Sequence, residues 1–151
     1  MLLVQLWLLG LKKNKMRVAI IEDCDITRFL HATLIKDLDL TINLQQYSSG
    51  EDFLKDLKSD QIDMPDIVLT DYNMGQLNGV DVINELASFC SAHQITHKLR
   101  SYLVSANVDV KSILDDCDKD FCQGFIPKPL NSKRLKDIIS PKHGEYCLRT
   151  A

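Results

Sequence analysis

The sequence predicts an α/β protein with a doubly wound, five-stranded parallel sheet and helices on both faces. Short, continuously apolar segments alternate five times with segments whose apolar residues recur at helical spacing. A strand with one solvent-exposed face alternates apolar and polar residues, and these segments do not. Each strand is therefore expected to be covered on both faces. Three of them end in charged residues, at Glu22-Asp23, Asp71 and Lys128. This pattern is typical of parallel strands that bring functional side chains to one edge of a sheet.

The first predicted strand, residues 17–23, leads into the first predicted helix. Asp25 or Thr27 is expected to cap this helix, which runs to about Leu38. Four residues at helical spacing are expected to form its apolar face: Phe29, Leu30, Leu34 and Leu38. His31 is expected to lie on the helix surface.

The remaining elements continue the alternation. The predicted strands are residues 42–47, 66–70, 98–104 and 124–128. The predicted helices are residues 50 to about 58, 79 to about 90, 107 to about 119, and 132–139. Ser49 is expected to cap the second helix, and Asn78-Gly79 introduces the third. The fourth helix is polar, with few apolar anchors, among them Val108, Ile113 and Leu114.

Length and composition fit one globular domain. The chain has 151 residues with 45% hydrophobic and 26% charged residues, enough for a core of its own. We expect this domain to occupy residues 16–140, between an extension at 1–15 and a tail at 141–151. A net charge of -3 argues against nucleic acid as a partner, because such proteins normally carry a basic face.

The extension is apolar from Leu2 to Leu11, includes Trp7, and ends in a lysine-rich stretch. It is too short for a transmembrane helix, which needs about 20 apolar residues, and it lacks the leading positive charge of a secretory signal. We interpret it as an unstructured extension, or as the result of a translation start assigned upstream of the true one. An anchor that lies in the membrane interface is kept as the alternative. A membrane is therefore not an expected partner.

Five cysteines, an odd number with no C-x-x-C, fit a reducing, cytoplasmic environment better than a disulfide framework. Cys90, His93 and His97 have ligand-like spacing, but no fourth ligand lies nearby in the sequence, so we interpret them as a solvated helix end. We interpret four aspartates in the same way, because they lack the glycine and glutamate of a calcium loop: Asp115, Asp116, Asp118 and Asp120.

The charged strand ends predict a site for Mg²⁺ and a phosphoryl group. Clustered carboxylates repel one another without a cation, and oxygen-only ligands suit Mg²⁺. Asp71 is the best candidate nucleophile, because a carboxylate can accept a phosphoryl group as an acyl phosphate. Lys128 would neutralise charge on that group, and Ser105 would offer it a hydroxyl.

These residues resemble the response-regulator receiver domains of bacterial two-component signalling, in particular the stand-alone receivers of chemotaxis. The resemblance covers about residues 16–140 and implies a flavodoxin-like fold with strand order 2-1-3-4-5. The matching segments are Ile20-Ile21-Glu22-Asp23-Cys24-Asp25-Ile26-Thr27-Arg28, Val68-Leu69-Thr70-Asp71-Tyr72-Asn73-Met74, Leu77-Asn78-Gly79, Val104-Ser105-Ala106 and Phe125-Ile126-Pro127-Lys128-Pro129. In this family the peptide bond after the lysine is typically cis.

The resemblance implies a role for each matching residue. Asp71 would be the phosphoacceptor, and Mg²⁺ would be held by the carboxylates of Glu22, Asp23 and Asp71 and the backbone carbonyl of Asn73. Lys128 and Ser105 would bind the phosphoryl oxygens. Ser105 would also act as the switch hydroxyl, together with Phe125, the aromatic that turns inward when Ser105 moves.

The sequence departs from the family pattern at four positions. Gly75 replaces a common proline, which should leave the loop after Asp71 more mobile, and Asn78 replaces the commoner aspartate. Ser105 stands where threonine is commoner, and Phe125 has no hydroxyl, so its inward state would depend on packing alone. None of these changes removes a required group.

The implied function is that of a single-domain response regulator in a phosphorelay. A sensor histidine kinase or a histidine phosphotransfer protein would supply the phosphoryl group. The phosphoprotein would then switch a protein-binding surface, made by the fourth helix, fifth strand and fifth helix, or pass the group to another histidine. The downstream partner is unknown, and the resemblance also allows a phosphorylation-dependent homodimer. Because its chemistry serves signalling, the protein is not classed as an enzyme.

Two alternatives remain at this point. A receiver fold can act as a binding module without phosphorylation. Residues 20–27 also match the D-x-D-x-T motif of haloacid dehalogenase-like phosphatases, with Asp23 as nucleophile and Asp25 as general acid/base. Ser105 and Lys128 could fill the next two roles. That family, however, needs a later acidic pair, and only Asp137 and Glu145 follow Lys128.

Overall fold

The computed structural model describes residues 15–39, 41–106 and 109–139, in which five parallel strands alternate with five helices. The strands are β1 (Arg17–Ile21), β2 (Asn43–Tyr47), β3 (Ile67–Asp71), β4 (Arg100–Ser105) and β5 (Cys122–Pro127). The helices are α1 (Asp25–Leu38), α2 (Gly50–Lys58), α3 (Gly79–Ala92), α4 (Val110–Asp115) and α5 (Ser132–Ile139). The strand order is β2-β1-β3-β4-β5, as predicted.

Apolar side chains of each central strand alternate between two cores. In β1, Val18 and Ile20 point to the face covered by α1 and α5, and Ala19 and Ile21 point to the face covered by α2 and α3. The strands are therefore covered on both faces, which explains why their sequences are apolar throughout.

A third, smaller core lies under α4. Six buried residues from α3, β4, α4, β5 and the loop after α4 form it, and we call it the α4 cluster: Val80, Ile83, Leu103, Ile113, Cys117 and Phe125. It packs against the half of the sheet that contains β4 and β5.

Predictions for α2, α3 and α5 are confirmed, and for α2 and α3 strong local signals set the start of the helix. The hydroxyl of Ser49 accepts a hydrogen bond from the Asp52 amide at 3.1 Å, which caps α2. Asn78 and Asp81 form a reciprocal capping box at the start of α3. Each helix buries one apolar face: Phe53, Leu54 and Leu57 in α2, and Val80, Val82, Ile83, Leu86 and Ala87 in α3.

The prediction for α1 was partly wrong. The helix begins at Asp25 after Cys24, whose side chain makes no capping bond, so neither Asp25 nor Thr27 is the cap. Leu34 and Leu38 do pack against the core, but Phe29 and Leu30 are 67% and 54% exposed. The buried side of the helix contains His31, Ala32 and Ile35 instead. Because apolar residues occur on more than one side of α1, periodicity alone could not choose the face that meets the sheet.

Helix α4 is shorter than predicted and ends at Asp115 rather than near Lys119. The chain turns there because the Asp118 carboxylate accepts hydrogen bonds from the amides of Asp120 at 3.0 Å and Phe121 at 3.2 Å. Ile113 is the buried anchor of the helix. Val108 lies outside the described residues.

The predicted extension, apart from Lys15, and the predicted tail also lie outside the described residues. Within the described part of the chain, no helix combines the length and apolar character needed to cross a membrane.

Candidate functional site

The five predicted site side chains that end strands or follow them lie at one edge of the sheet. Glu22 and Asp23 follow β1, Asp71 ends β3, Ser105 ends β4, and Lys128 follows β5. Because these four strands are neighbours in the sheet, their carboxyl ends converge.

Three carboxylates form the acidic part of the site. One oxygen from each of Glu22, Asp23 and Asp71 lies within 4.8 Å of the others, which suits a shared cation. Glu22 and Asp71 are buried, whereas Asp23 is exposed and leaves one side of the cluster open to solvent. These hard oxygen donors, open on one side to water, fit Mg²⁺.

Among the described residues, no other group of three His, Cys, Asp or Glu side chains could hold a metal ion. The alternative of Cys90, His93 and His97 therefore fails. Cys90 is buried in the core, the Nδ1 atom of His93 lies 2.9 Å from the carbonyl of Phe89, and His97 contacts a different carboxylate.

Lys128 bridges two of the carboxylates. Its Nζ atom lies 2.6 Å from Oε2 of Glu22 and 3.1 Å from Oδ1 of Asp71. Its backbone amide donates a hydrogen bond to the carbonyl of Ser105 at 3.0 Å, which fixes the loop after β5. The Lys128-Pro129 peptide bond is cis, as the resemblance implied.

The surroundings of Glu22 and Asp71 disfavour the ionised form of both carboxyl groups. Burial raises the pKa of Glu22 and of Asp71, and this effect outweighs the opposing hydrogen bonds from Lys128. The nearby charge of Asp71 raises the pKa of Glu22 further, and that of Asp23 raises the pKa of Asp71. Burial acts to lower the pKa of Lys128, but its bonds to the two carboxylates prevail and raise it. One ammonium is therefore insufficient compensation for three carboxylates.

Backbone contacts hold Glu22 in place. Its amide donates to the carbonyl of Tyr47 at 3.0 Å, and its Oε1 atom accepts from the Cys24 amide at 3.3 Å. The guanidinium of Arg28 donates to the Glu22 carbonyl at 2.6 Å and also pairs with Asp25. The first turn of α1 therefore supports the acidic loop.

Asp71 is positioned by the start of α3. The amide of Gly79 donates to the carbonyl of Tyr72 at 3.1 Å. A Cβ atom at Gly79 would lie 2.5 Å from the carbonyl oxygen of Asp71 and 2.7 Å from a methyl group of Leu103. Only glycine permits this close approach. The sequence identified Gly79 as part of a helix start but not as a support for Asp71.

The two predicted switch residues, Ser105 and Phe125, lie on the neighbouring strands β4 and β5. Ser105 is buried at the end of β4, and Phe125 is buried in the α4 cluster. Phe125 is therefore on the inside in this structure. Asn73 is exposed in the loop after Asp71, and a side chain at Gly75 would meet nothing within 4 Å.

Two features near the site were missed from the sequence. Ile26, Phe29 and Leu30 form an exposed apolar patch on the first turns of α1, next to Asp23; we call it the α1 patch. The signal was their i, i+3, i+4 spacing; Phe29 and Leu30 were assigned to the core, and Ile26 was assigned to neither face. The second feature is His31, which is buried near enough to Lys128 to sense its charge.

The arrangement does not favour the phosphatase alternative. Asp25, its general acid/base, is exposed and pairs with Arg28 instead of joining the carboxylate cluster. Asp71, which that alternative leaves without a role, is a member of the cluster.

The chain is similar to a chemotaxis protein and to response regulators of known structure. The chain is 27% identical over 129 residues to the chemotaxis protein CheY-3 of Vibrio cholerae, covering 85% of this chain and 92% of that protein. A two-component response regulator from Cytophaga hutchinsonii superposes with a TM-score of 0.70 at 24% identity, covering 83% of this chain and 95% of that one. The receiver domain of the response regulator NarL from Mycobacterium tuberculosis gives a TM-score of 0.66 at 21% identity, covering 83% and 93%.

The family model for the response regulator receiver domain matches residues 18–140, most of the chain. Sequence, topology and the charged edge of the sheet agree, and the chain belongs to the response regulator receiver domain family.

Proposed function

We propose that the protein accepts a phosphoryl group on Asp71 from a phosphohistidine. One observation carries this proposal: the buried Asp71 carboxylate lies in a cluster of three acids and contacts the ammonium of Lys128 at 3.1 Å. Such a nucleophile, beside a fixed cation and a divalent-ion site, suits phosphoryl transfer, which depends on positioning and charge compensation.

In the transfer, a carboxylate oxygen of Asp71 attacks phosphorus and the phosphorus–nitrogen bond of the donor breaks. The bonding electrons pass to the departing imidazole nitrogen, and because the other ring nitrogen of the donor carries a proton, the donor is left as a neutral histidine. Lys128 can follow the developing charge because it already contacts Asp71. Mg²⁺, when bound by Glu22, Asp23, Asp71 and the Asn73 carbonyl, would neutralise charge on the transferred group.

The signal would leave through the face made by α4, β5 and α5. Phosphorylation adds roughly −1.5 to −2 of charge and three acceptor oxygens, around which Ser105 and Lys128 would rearrange. Phe125 of β5 would respond because it pairs with Leu103 of β4 and packs in the α4 cluster. The result would be a changed surface for a partner, or relay of the group to another histidine.

The phosphodonor would dock on the α1 patch. Ile26, Phe29 and Leu30 are 73%, 67% and 54% exposed, and they are the large exposed apolar residues of the described chain. Their position beside Asp23 would bring a docked phosphohistidine close to Asp71. A sensor histidine kinase or a histidine phosphotransfer protein fits this role.

Intact mass after incubation with acetyl phosphate tests the proposal. The experiment uses the full chain with and without Mg²⁺, and compares wild type with Asp71→Asn and Asp23→Asn. We expect one Mg²⁺-dependent phosphoryl adduct on wild type and none on Asp71→Asn.

The other outcomes assign a different function. An unmodified wild-type chain would indicate a binding module that does not use phosphorylation. An adduct that survives Asp71→Asn but disappears in Asp23→Asn would restore the phosphatase mechanism.

A further inference from the structure

Two cysteines pack in and beside the α4 cluster. Cys117 lies in the loop after α4 and is 4% exposed, and Cys122 is the half-buried first residue of β5. Both side chains pack against the same apolar residues, and each thiol perturbs the pKa of the other. This pair has no part in the phosphoryl site.

Hydrogen bonds fix the loop that brings the two sulfur atoms together. The amide of Cys122 donates to the carbonyl of Asp118 at 2.8 Å, which closes the turn. From α3, the Asn84 side chain donates to the carbonyl of Asp116 at 3.0 Å and accepts from the amide of Asp118 at 2.8 Å. The thiols are therefore held near each other by the fold.

The two sulfur atoms are chemically unequal. The neighbouring Cys117 thiol lowers the pKa of Cys122, against the opposing effect of burial. Cys122 in turn raises the pKa of Cys117, and burial adds to that effect. Cys122 is also the more exposed of the two. It is therefore the better nucleophile, with Cys117 placed to react second.

We propose that Cys117 and Cys122 form an oxidation site, at which a small hydroperoxide converts the two thiols into an intramolecular disulfide. The Cys122 thiolate attacks the peroxide, the oxygen–oxygen bond breaks, and Cys122 becomes a sulfenic acid as the departing oxygen takes a proton. The Cys117 sulfur then attacks the Cys122 sulfur and the sulfur–oxygen bond breaks. In total, two thiols and one hydrogen peroxide give one disulfide and two waters.

The disulfide would act on the α4 cluster. It forms a covalent sulfur–sulfur bond of about 2.05 Å, and so ties the loop after α4 to the first residue of β5. Cys117 and Phe125 share this cluster, so packing around Phe125 should change. Oxidation therefore offers a second input to the face that phosphorylation is proposed to alter; only this consequence rests on the proposed function.

Peptide mapping of the full chain after treatment with hydrogen peroxide tests the site. Trypsin cleaves after Lys119, so the disulfide must link the peptide 112–119 to the peptide 120–133. We expect this linked pair, at a mass lower by two hydrogen atoms, and its loss on reduction. Cys122 should lose its free thiol roughly tenfold faster than Cys90, which is buried and whose pKa is raised by burial.

Variants separate the two steps. Cys122→Ser should abolish oxidation at this site, and Cys117→Ser should leave a sulfenic acid on Cys122 that dimedone traps. Asp71→Asn should give the same linked peptides as wild type, because the oxidation does not need phosphorylation. The proposal is overturned if Cys117 and Cys122 remain reduced while Cys24 is oxidised, or if either links to another cysteine instead.

Discussion

Asp66 lies just before β3 and Asp71 ends it, and the fold shifts the pKa values of these two aspartates in opposite directions. Burial raises the pKa of Asp71 despite its contact with Lys128. Burial also acts to raise the pKa of Asp66, but bonds from the amide and side chain of Arg17 prevail and lower it. A raised pKa means that the fold disfavours the charged form, and a lowered pKa means that the fold favours it.

The same substitution should therefore have opposite effects at these two positions. Without divalent cations at neutral pH, Asp71→Asn should raise the free energy of unfolding, because it removes a charge that the fold disfavours. Asp66→Asn should lower it, each by on the order of 1 kcal/mol. Urea denaturation of both variants measures this. If Asp71→Asn destabilises the protein as much as Asp66→Asn does, the Lys128 contact outweighs the burial of Asp71.

His31 makes the fold sensitive to acid. Burial, and then the charge of Lys128, lower its pKa from 6.5 to about 4, so between these two pH values it is mostly neutral in the fold and mostly charged in the unfolded chain. The unfolded state therefore binds the proton more tightly, and this part of the stability is lost as pH falls from 6.5 to about 4. At about 1.4 kcal/mol per pKa unit, the loss is roughly 3 kcal/mol.

His31→Gln should flatten this pH dependence, because the amide side chain does not titrate. Denaturation midpoints measured between pH 7 and pH 4 compare the variant with wild type. His93→Gln, at an exposed helix end, is the matched control and should keep the wild-type slope. An unchanged slope in His31→Gln would assign the acid sensitivity to other groups.

At the scale of single elements, local signals were reliable and face assignments were not. Ser49 and Asn78 set the starts of α2 and α3 through side-chain hydrogen bonds that depend on nearby residues only. In α1, the buried side depends on where the helix meets β1 and α5, which no local pattern records. Phe29 and Leu30 were assigned to the core for this reason, and His31 to the surface.

The α1 patch gives a prediction about the donor. Phe29→Ala should reduce the kcat/KM of phosphotransfer from a cognate phosphorylated histidine protein roughly tenfold or more, because a large exposed aromatic is a typical anchor of an interface. Phosphorylation by acetyl phosphate, which needs no docking surface, should be unchanged. A panel of phosphorylated histidine kinases from the same organism supplies the donors.

Lys55→Ala, at an exposed position on α2, is the control for this experiment. It should affect neither reaction. A Phe29→Ala variant that loses activity with acetyl phosphate as well would have a damaged site rather than a damaged docking surface.

At the scale of the whole molecule, the topology explains why the candidate site could be found from the sequence. The residues that make it are separated by up to 106 positions, as for Glu22 and Lys128, yet each lies at or just after the end of a strand. Parallel strands in a doubly wound sheet bring such positions together without further information. The thiol pair could not be found in this way, because its contact depends on a loop clamped by Asn84 from another helix.

The same topology links cation binding to stability and pH. A ligand that binds only the folded state at 100 times its Kd adds about 2.7 kcal/mol to the free energy of unfolding. Mg²⁺ should stabilise wild type in this way, because it relieves the repulsion among Glu22, Asp23 and Asp71. Protons compete for the same oxygens, and the raised pKa values of Glu22 and Asp71 make this competition begin above their ordinary values of 4.5 and 3.8.

The free energy of unfolding can be followed against pH with and without Mg²⁺. The two resulting curves should converge as pH falls. In the cation-free protein these two carboxylates bind protons more tightly when folded, so their contribution to the free energy of unfolding rises as pH falls, while the contribution of Mg²⁺ declines. The acid sensitivity from His31 is common to both curves and cancels in the difference. Denaturation in Mg²⁺ and in a chelator across pH 8 to 4 measures this difference, and Asp71→Asn should reduce it at every pH. A difference that stays constant down to pH 4 would show that Mg²⁺ acts away from these carboxylates.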